Sequence, residues 1–305
     1  MDISSLQAKL DDAKYICGGE VAVTLLVALQ LGRPLLIEGP AGVGKTEIAK
    51  VMAAALDREM VRLQCYEGLD ESKALYEWNY QKQLLSIQVQ MNRRDADELT
   101  KSLFGSDYLL ERPLLKAIRS EKPVVLLIDE IDKSDEEFEA FLLELLSEMQ
   151  VTIPESGVIR ASSIPFVILT SNRTRPLGEA LRRRCAYLYL QYPDITRETA
   201  IIKAKHPHVS DHLAVQVAQA IHDLRESERI LKKPSIAETL DWISALEALG
   251  ISDLTPEAVE QTKGFVLKGS EDLEAAAGVL GHPGHDCSCG HEHSHGHEHC
   301  AHHHP

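Results

Sequence analysis

The sequence predicts an α/β chain: a three-layer αβα sandwich around a parallel sheet, then a helical domain, then a low-complexity tail. Three observations lead there. From Val21 to about Leu190 short apolar runs alternate with helical patterns, as parallel strands require, because they can be joined only by crossovers. From Asp194 the strand-like runs stop and amphipathic helical patterns take over. After about Gly278 periodicity ends in a strip of Gly, His and Cys that has too little apolar surface to bury. The expected boundaries are 1–193 for the core, 194–277 for the helical domain and 278–305 for the tail.

Five runs read as strands: Pro34 to Glu38, Met60 to Gln64, Val124 to Asp129, Phe166 to Ser171 and Ala186 to Leu190. Between Gln150 and Ile164, "VTIPESGVIRASSI" predicts an inserted hairpin turning at Glu155 to Gly157. "SDHLAVQVAQAIHDLRES" and "SIAETLDWISALEAL" carry helical periodicity, with polar breaks near Lys232 to Pro234 and Gly250 to Ser252.

Composition narrows the function. With 47 acidic against 32 basic residues the formal net charge is -15, which speaks against general nucleic-acid binding, since that rests on Lys and Arg at the phosphates. No run of eighteen apolar residues occurs and the first residues lack the pattern of a signal peptide, so the expectation is a cytoplasmic protein with no membrane insertion. Cys17, Cys65 and Cys185 are scattered and read as buried, reduced thiols.

The run Gly39-Pro40-Ala41-Gly42-Val43-Gly44-Lys45-Thr46 follows an apolar strand and opens a helix, the context of a P-loop NTPase. The glycines let the loop curl so that its amides and the helix N-terminus face an anion. Lys45 is placed to reach the outer phosphates, and the Thr46 hydroxyl to ligate Mg²⁺. "PVVLLIDEIDKSD" then puts Asp129 and Glu130 at the carboxyl end of a strand, where such sheets bind ligands. Asp129 is the expected Mg²⁺-side carboxylate, and Glu130 the group that orients the attacking water. "FVILTSNRTRPLGEALRRRC" ends a third strand with Asn172, a candidate for the γ phosphate or the water, and continues into Arg182, Arg183 and Arg184. A triple arginine in so acidic a chain suggests a finger reaching a neighbour's nucleotide.

The ordered set "GPAGVGKT", "LLIDEIDKSD", "LTSN" and "EALRRRC", with helices behind it, resembles the AAA+ ATPases of the MoxR group over about residues 15 to 275. "CYEGLDESKALYEWNYQKQLL" and "PSIAETLDW" resemble the CoxD-like branch, which serves maturation of molybdenum-containing carbon monoxide dehydrogenase. The resemblance implies a five-stranded αβα core of AAA+ type, a helical lid, and a homo-oligomer, a hexameric ring, with ATP and Mg²⁺ held between neighbours. It implies inserts at Val151 to Ile159 and roughly Cys65 to Leu85. It assigns Lys45 and Thr46 to the first nucleotide motif, Asp129 and Glu130 to the second, Asn172 to the first sensor and Arg184 to the finger, with Arg183 the alternate. Relatives often read Ser-Pro-Arg in the lid; here Ala237 stands where that arginine falls. The group also implies a partner bearing a von Willebrand factor A domain and a client metalloenzyme.

The tail asks for a second function. Residues 281–305 hold ten of the fourteen histidines, among them His285, His291, His293, His295, His297 and His299, interleaved with Cys287, Cys289 and Cys300. Imidazole and thiolate suit Ni²⁺, Zn²⁺ or copper, and so many equivalent ligands suggest a buffer or delivery strip more than one fixed site. A solubilising tail that binds metal incidentally is the bland alternative. Two further readings stand beside it: a GTPase of the nickel-insertion type, whose nearest approach to a guanine-reading Asn-Lys-x-Asp is Asp132 to Asp135, and a DNA-loading motor.

Overall fold

The computed structural model describes residues 2–90, 105–153 and 157–280. In chain order its elements are α1 (Ile3–Asp12), α2 (Gly19–Leu31), β1 (Leu35–Glu38), α3 (Lys45–Leu56), β2 (Met60–Gln64), α4 (Glu71–Ala74), β3 (Tyr76–Trp78) and α5 (Tyr80–Gln90). After residue 104 come β4 (Leu109–Glu111), α6 (Pro113–Arg119), β5 (Val125–Asp129), α7 (Glu136–Glu148), β6 (Gln150–Ile153) and β7 (Gly157–Arg160). They are followed by β8 (Phe166–Ser171), α8 (Glu179–Arg184), β9 (Ala186–Tyr189), α9 (Ile195–Lys205), α10 (Asp211–Glu226), α11 (Ile236–Ala248), α12 (Pro256–Val266) and α13 (Ser270–Leu280).

The five anticipated strands form one sheet, ordered β2-β5-β8-β1-β9, in which every neighbouring pair is parallel. Three ends are a residue shorter than read from sequence, yet each residue left out still serves the ladder. Pro34, which has no N–H to donate, accepts from Ala186; Val124 accepts from Phe166, and Leu190 donates to Glu38. Alternation along the strands divides their side chains between two cores. Leu36, Leu126, Ile128, Val167 and Leu169 face one core with α6 and α7, while Leu35, Ile37, Val125, Leu127, Phe166 and Ile168 face another with α1, α2 and α3. Burial on both faces is why these strands read as unbroken apolar runs.

Both inserts form. β6 and β7 pair antiparallel, with Gln150 opposite Arg160, and the turn expected at Glu155 to Gly157 lies outside the described residues except for Gly157. The other insert runs further than the expected Cys65 to Leu85. β3 is closed antiparallel by β4, with Tyr76 opposite Glu111 and Trp78 opposite Leu109, so the excursion returns only at Glu111.

Helices α9 to α13 gather a third core around Ile202, Val217, Ile221, Leu224, Trp242 and Leu246. Its helices begin on sequence-coded caps: Asp194, Ser210, Ser235 and Thr255 each accept a backbone N–H of the first turn. Glu238 returns the bond to Ser235, closing a capping box. One buried polar knot ties the bundle. Arg225 pairs with Glu198 through both guanidinium ends, donates Nε–H to the Pro234 carbonyl at 2.8 Å and stacks over the Tyr192 ring at 4.4 Å. Thr239 donates to the same Glu198 at 2.7 Å. Pairs this deeply buried cost about 3–5 kcal/mol when one partner alone is lost. The knot sets Pro234 and hence Ser235, which abuts Gly42 in the loop after β1.

The tail ligands His285, Cys287, Cys289, His291, His293, His295, His297, His299 and Cys300 lie outside the described residues. Among the described residues, no helix is long and apolar enough to cross a membrane.

Candidate nucleotide site

The carboxyl ends of β1, β8 and β5 lie side by side because those three strands are neighbours in the sheet, and each ends in a polar residue. The loop Gly39 to Gly44 leaves β1 and returns into α3, with Gly39, Gly42 and Gly44 all at positive φ (157°, 72° and 95°). Glycine is required twice over at Gly42: a Cβ there would lie 2.3 Å from the Ser235 Cβ of the lid. The amides of this loop and the first turn of α3 make an anion cradle.

Lys45 stands at the start of α3, nearly buried, and its ammonium donates to the carbonyls of Gly39 at 2.8 Å and Pro40 at 2.7 Å. Burial pushes its pKa below the usual lysine range, against the pull of Asp132, Asp129 and Glu130. Next to it the Thr46 hydroxyl donates to Asp129 Oδ1 at 3.0 Å. Asp129 is 2 % exposed, and Thr170 of β8 donates to the same oxygen at 2.5 Å. Hydroxyl and carboxylate together are the hard oxygen donors that Mg²⁺ prefers, with its remaining positions left to water and phosphate.

Glu130 sits in a left-handed conformation (φ 56°, ψ 50°), which turns its side chain off the strand line. Its Oε1 lies 3.4 Å from the Asn172 side-chain nitrogen, its Oε2 accepts from Gln64 at 2.9 Å, and Lys133 lies 2.6 Å from Oε2. That hydrogen bond and the Glu130 charge hold the Lys133 ammonium above the usual lysine range. Lys45, Thr46, Asp129, Glu130 and Asn172, proposed from three separate sequence runs, thus share one site. Arg184 does not join them: it is exposed at the end of α8, and among the described residues it pairs with no carboxylate. Arg183 by contrast pairs with Glu179, and Arg182 lies over the Tyr187 ring.

Residues 34–185, which hold this whole arrangement, match the AAA domain family, dynein-related subfamily. Over these residues the chain is similar to AAA domains. Relatives include an uncharacterized protein of Staphylococcus haemolyticus, 28% identical over 73% of this chain and 78% of its own length. Another is an uncharacterized protein of Staphylococcus saprophyticus, 25% identical over 74% and 79%. Among solved structures, the Thermotoga maritima RuvB Holliday junction branch migration motor aligns at 19% identity and a TM-score of 0.47, over 85% of this chain and 72% of that one.

Beside the phosphate loop lies a cavity of about 390 Å³, walled by Tyr15, Val21, Val43, Leu190, Ile236 and Leu240. The sheet region and the helical bundle both contribute to its lining. Ala237 lines it, and the cations that reach it are Lys14, Arg197 and Lys205.

Several residues that shape the site were not anticipated from sequence. Asp132, buried, accepts the backbone N–H of Asn172 with both oxygens at 3.2 Å, and takes both the amide (2.9 Å) and the hydroxyl (2.7 Å) of Thr174. Burial alone would raise its pKa, but these donors outweigh it and hold the carboxyl below the usual range. Glu139 of α7 likewise accepts the Gly178 amide at 2.8 Å and pairs with Arg175, so the loop from Asn172 to the arginine helix is pinned at both ends. Glu38, the residue before the loop, is 3 % exposed and accepts from the Tyr187 hydroxyl at 2.9 Å. On the far side of β5, β2 supplies Arg62 and Gln64. The one signal for Arg62 and Gln64 is period two: "VRLQ" alternates apolar and polar, so the two must share a face.

Proposed function

We propose that this chain is a Mg²⁺-dependent ATPase, and that its turnover drives remodelling or maturation of a client metalloenzyme. The observation that supports hydrolysis best is the contact chain Thr46–Asp129 and Glu130–Asn172, which gathers a metal-side pair and a water-side pair under one phosphate loop. The loop amides and Lys45 take the phosphates, Lys45 exchanging its bonds to Gly39 and Pro40 for phosphate oxygens. Thr46 and Asp129 are the residues that would hold Mg²⁺, which supplies charge neutralisation on the phosphates when bound. Glu130 aligns the attacking water, and the Asn172 amide is aimed where the γ phosphate and that water meet. The base occupies the apolar cavity between core and lid. In this reading residues 1–193 are the catalytic core and 194–280 the lid, whose last helix runs to Leu280 where 277 was the expected end, and the tail follows from 281.

The GTPase alternative finds less support. Asp132 would have to read guanine, and its oxygens are committed to Asn172 and Thr174. The direct test is phosphate release by the full chain with ATP and with GTP, each with and without Mg²⁺; turnover of GTP alone would overturn the ATPase.

The subunits assemble as a ring of six, in which Arg184 enters a neighbour's site. Its support is that Arg182 and Arg183 are already engaged while Arg184 is exposed. Mixing Arg184→Ala with Lys45→Ala subunits, each inactive alone, is expected to restore part of the activity, because some sites then combine an intact loop with an intact finger. No recovery at any ratio would count against a finger between subunits.

A MoxR-type role, with a von Willebrand factor A domain partner and a metalloenzyme client, extends this reading, and the tail is the residue-level support for metal handling. Elemental analysis and calorimetry of the full chain against one ending at residue 280 are expected to show selective Ni²⁺, Zn²⁺ or copper binding that the shorter chain lacks. Weak and unselective binding would leave a remodelling ATPase with an incidental tail.

A further inference from the structure

Each acid at the end of β5 is met from β2, at the edge of the sheet, by a side chain that phosphate chemistry does not require. Val61 and Leu63 anchor β2 in the core, and the alternate residues Arg62 and Gln64 lean over β5. Gln64 donates to Glu130. Arg62 directs Nε and Nη2 at one oxygen of Asp129, Oδ2, at 3.1 and 2.6 Å, and Nη2 also donates to Gln64 Oε1. The other oxygen of Asp129 is taken by Thr46 and Thr170. So the carboxylate divides its work: Oδ1 faces the phosphate loop, and Oδ2 faces a cation that belongs to the protein.

Asp129 is almost fully buried, and a buried carboxylate needs a balancing charge. The Arg62 side chain is 49% exposed, so its guanidinium can withdraw into solvent without opening the core. We propose that Arg62 is the resident counter-ion of Asp129 and sets how tightly the site takes a divalent cation. Mg²⁺ and the guanidinium draw on the same carboxylate charge and repel one another, so each weakens the other's hold. Metal-free protein keeps Asp129 balanced through Arg62, and metal entry loosens that pair. This rests on Asp129 being the Mg²⁺-side carboxylate.

The test is a calorimetric titration of MgCl₂ into the full chain saturated with ADP. The tail's imidazoles and thiolates compete little, since Mg²⁺ is a hard ion that prefers oxygen, and its three carboxylates are common to every variant compared. Arg62→Gln is expected to bind Mg²⁺ about three- to fivefold more tightly than the parent, and to melt at lower temperature in EDTA, with the difference in melting shrinking once Mg²⁺ is added. Arg62→Lys, which keeps the charge but loses the fork, falls between them. Unchanged or weaker Mg²⁺ binding in Arg62→Gln overturns the counter-ion and makes Arg62 a clamp that merely positions Asp129. Asp129→Asn, titrated in parallel, separates the two levels. Weakened Mg²⁺ binding there with no gain in Arg62→Gln sinks only the counter-ion, whereas no effect in Asp129→Asn removes Asp129 from the metal site and the counter-ion proposal with it.

Discussion

Glu130→Gln is expected to bind ATP as the parent does while losing turnover by about 10²–10⁴-fold, the usual yield of a positioned acid or base. The change is isosteric. Its left-handed backbone tolerates glutamine as it does glutamate, and the contact to Asn172 can persist through the amide oxygen. What goes is the negative charge that aligns and polarises the water. The partners of that charge, Lys133 and Gln64, are partly exposed or uncharged, so stability should hardly move. The check is a pair of measurements on one preparation: ATP affinity by fluorescence or calorimetry, and phosphate release under saturating Mg-ATP. Turnover within a few-fold of the parent would remove Glu130 from the water side of the site.

Lys45→Ala is expected to fail one step earlier. Lys45 is the cation held inside the loop, and its bonds to the Gly39 and Pro40 carbonyls show that its ammonium already occupies the concave side. Charge-assisted bonds of this kind contribute about 2–3 kcal/mol, so ATP affinity should fall roughly 30- to 160-fold, with turnover lost at ordinary nucleotide concentrations. Part of the burial that depresses the lysine pKa disappears with the side chain, and the loop carbonyls it served are left to water. A melting curve taken beside the binding isotherm separates a lost phosphate contact from a disordered loop. Parent-like ATP affinity in Lys45→Ala would detach the glycine-rich loop from nucleotide binding altogether.

The strands that carry the site were legible because burial on both faces leaves an unbroken apolar run, and their polar last residues mark where the chain leaves the sheet. Asp129, Glu130 and Asn172 could be proposed for the same reason, since each closes or follows such a run and the parallel sheet brings those ends together, while Thr46 was legible from the Gly-Lys-Thr that opens α3. The bonds that hold them were not legible. Asp132 meets Asn172 and Thr174 some forty residues away, and Glu139 meets Gly178 at similar separation, partnerships that exist only once β5 and β8 are adjacent. Arg62 was not anticipated: period two can set it beside Gln64 on one face, but which face, and over which acid, depends on β2 pairing with β5. The longer insert escaped for a different reason. β3 and β4 are three residues each, too short to show alternation, and their pairing spans thirty residues of polar sequence.

The contact between Gly42 and Ser235 has a mechanical meaning. With no space for a methyl group between them, loop and lid touch without slack, and any change in the loop's curvature must shift the first turn of α11. That helix is thirteen residues, about 20 Å, and at mid-length Trp242 is bonded to Thr262 of the next. A small push at Ser235 is therefore carried rigidly through the bundle, with the Arg225 knot keeping the near end from giving way. The phosphate loop and the first turn of α11 therefore behave as one mechanical unit, in which strain at either is met by the other.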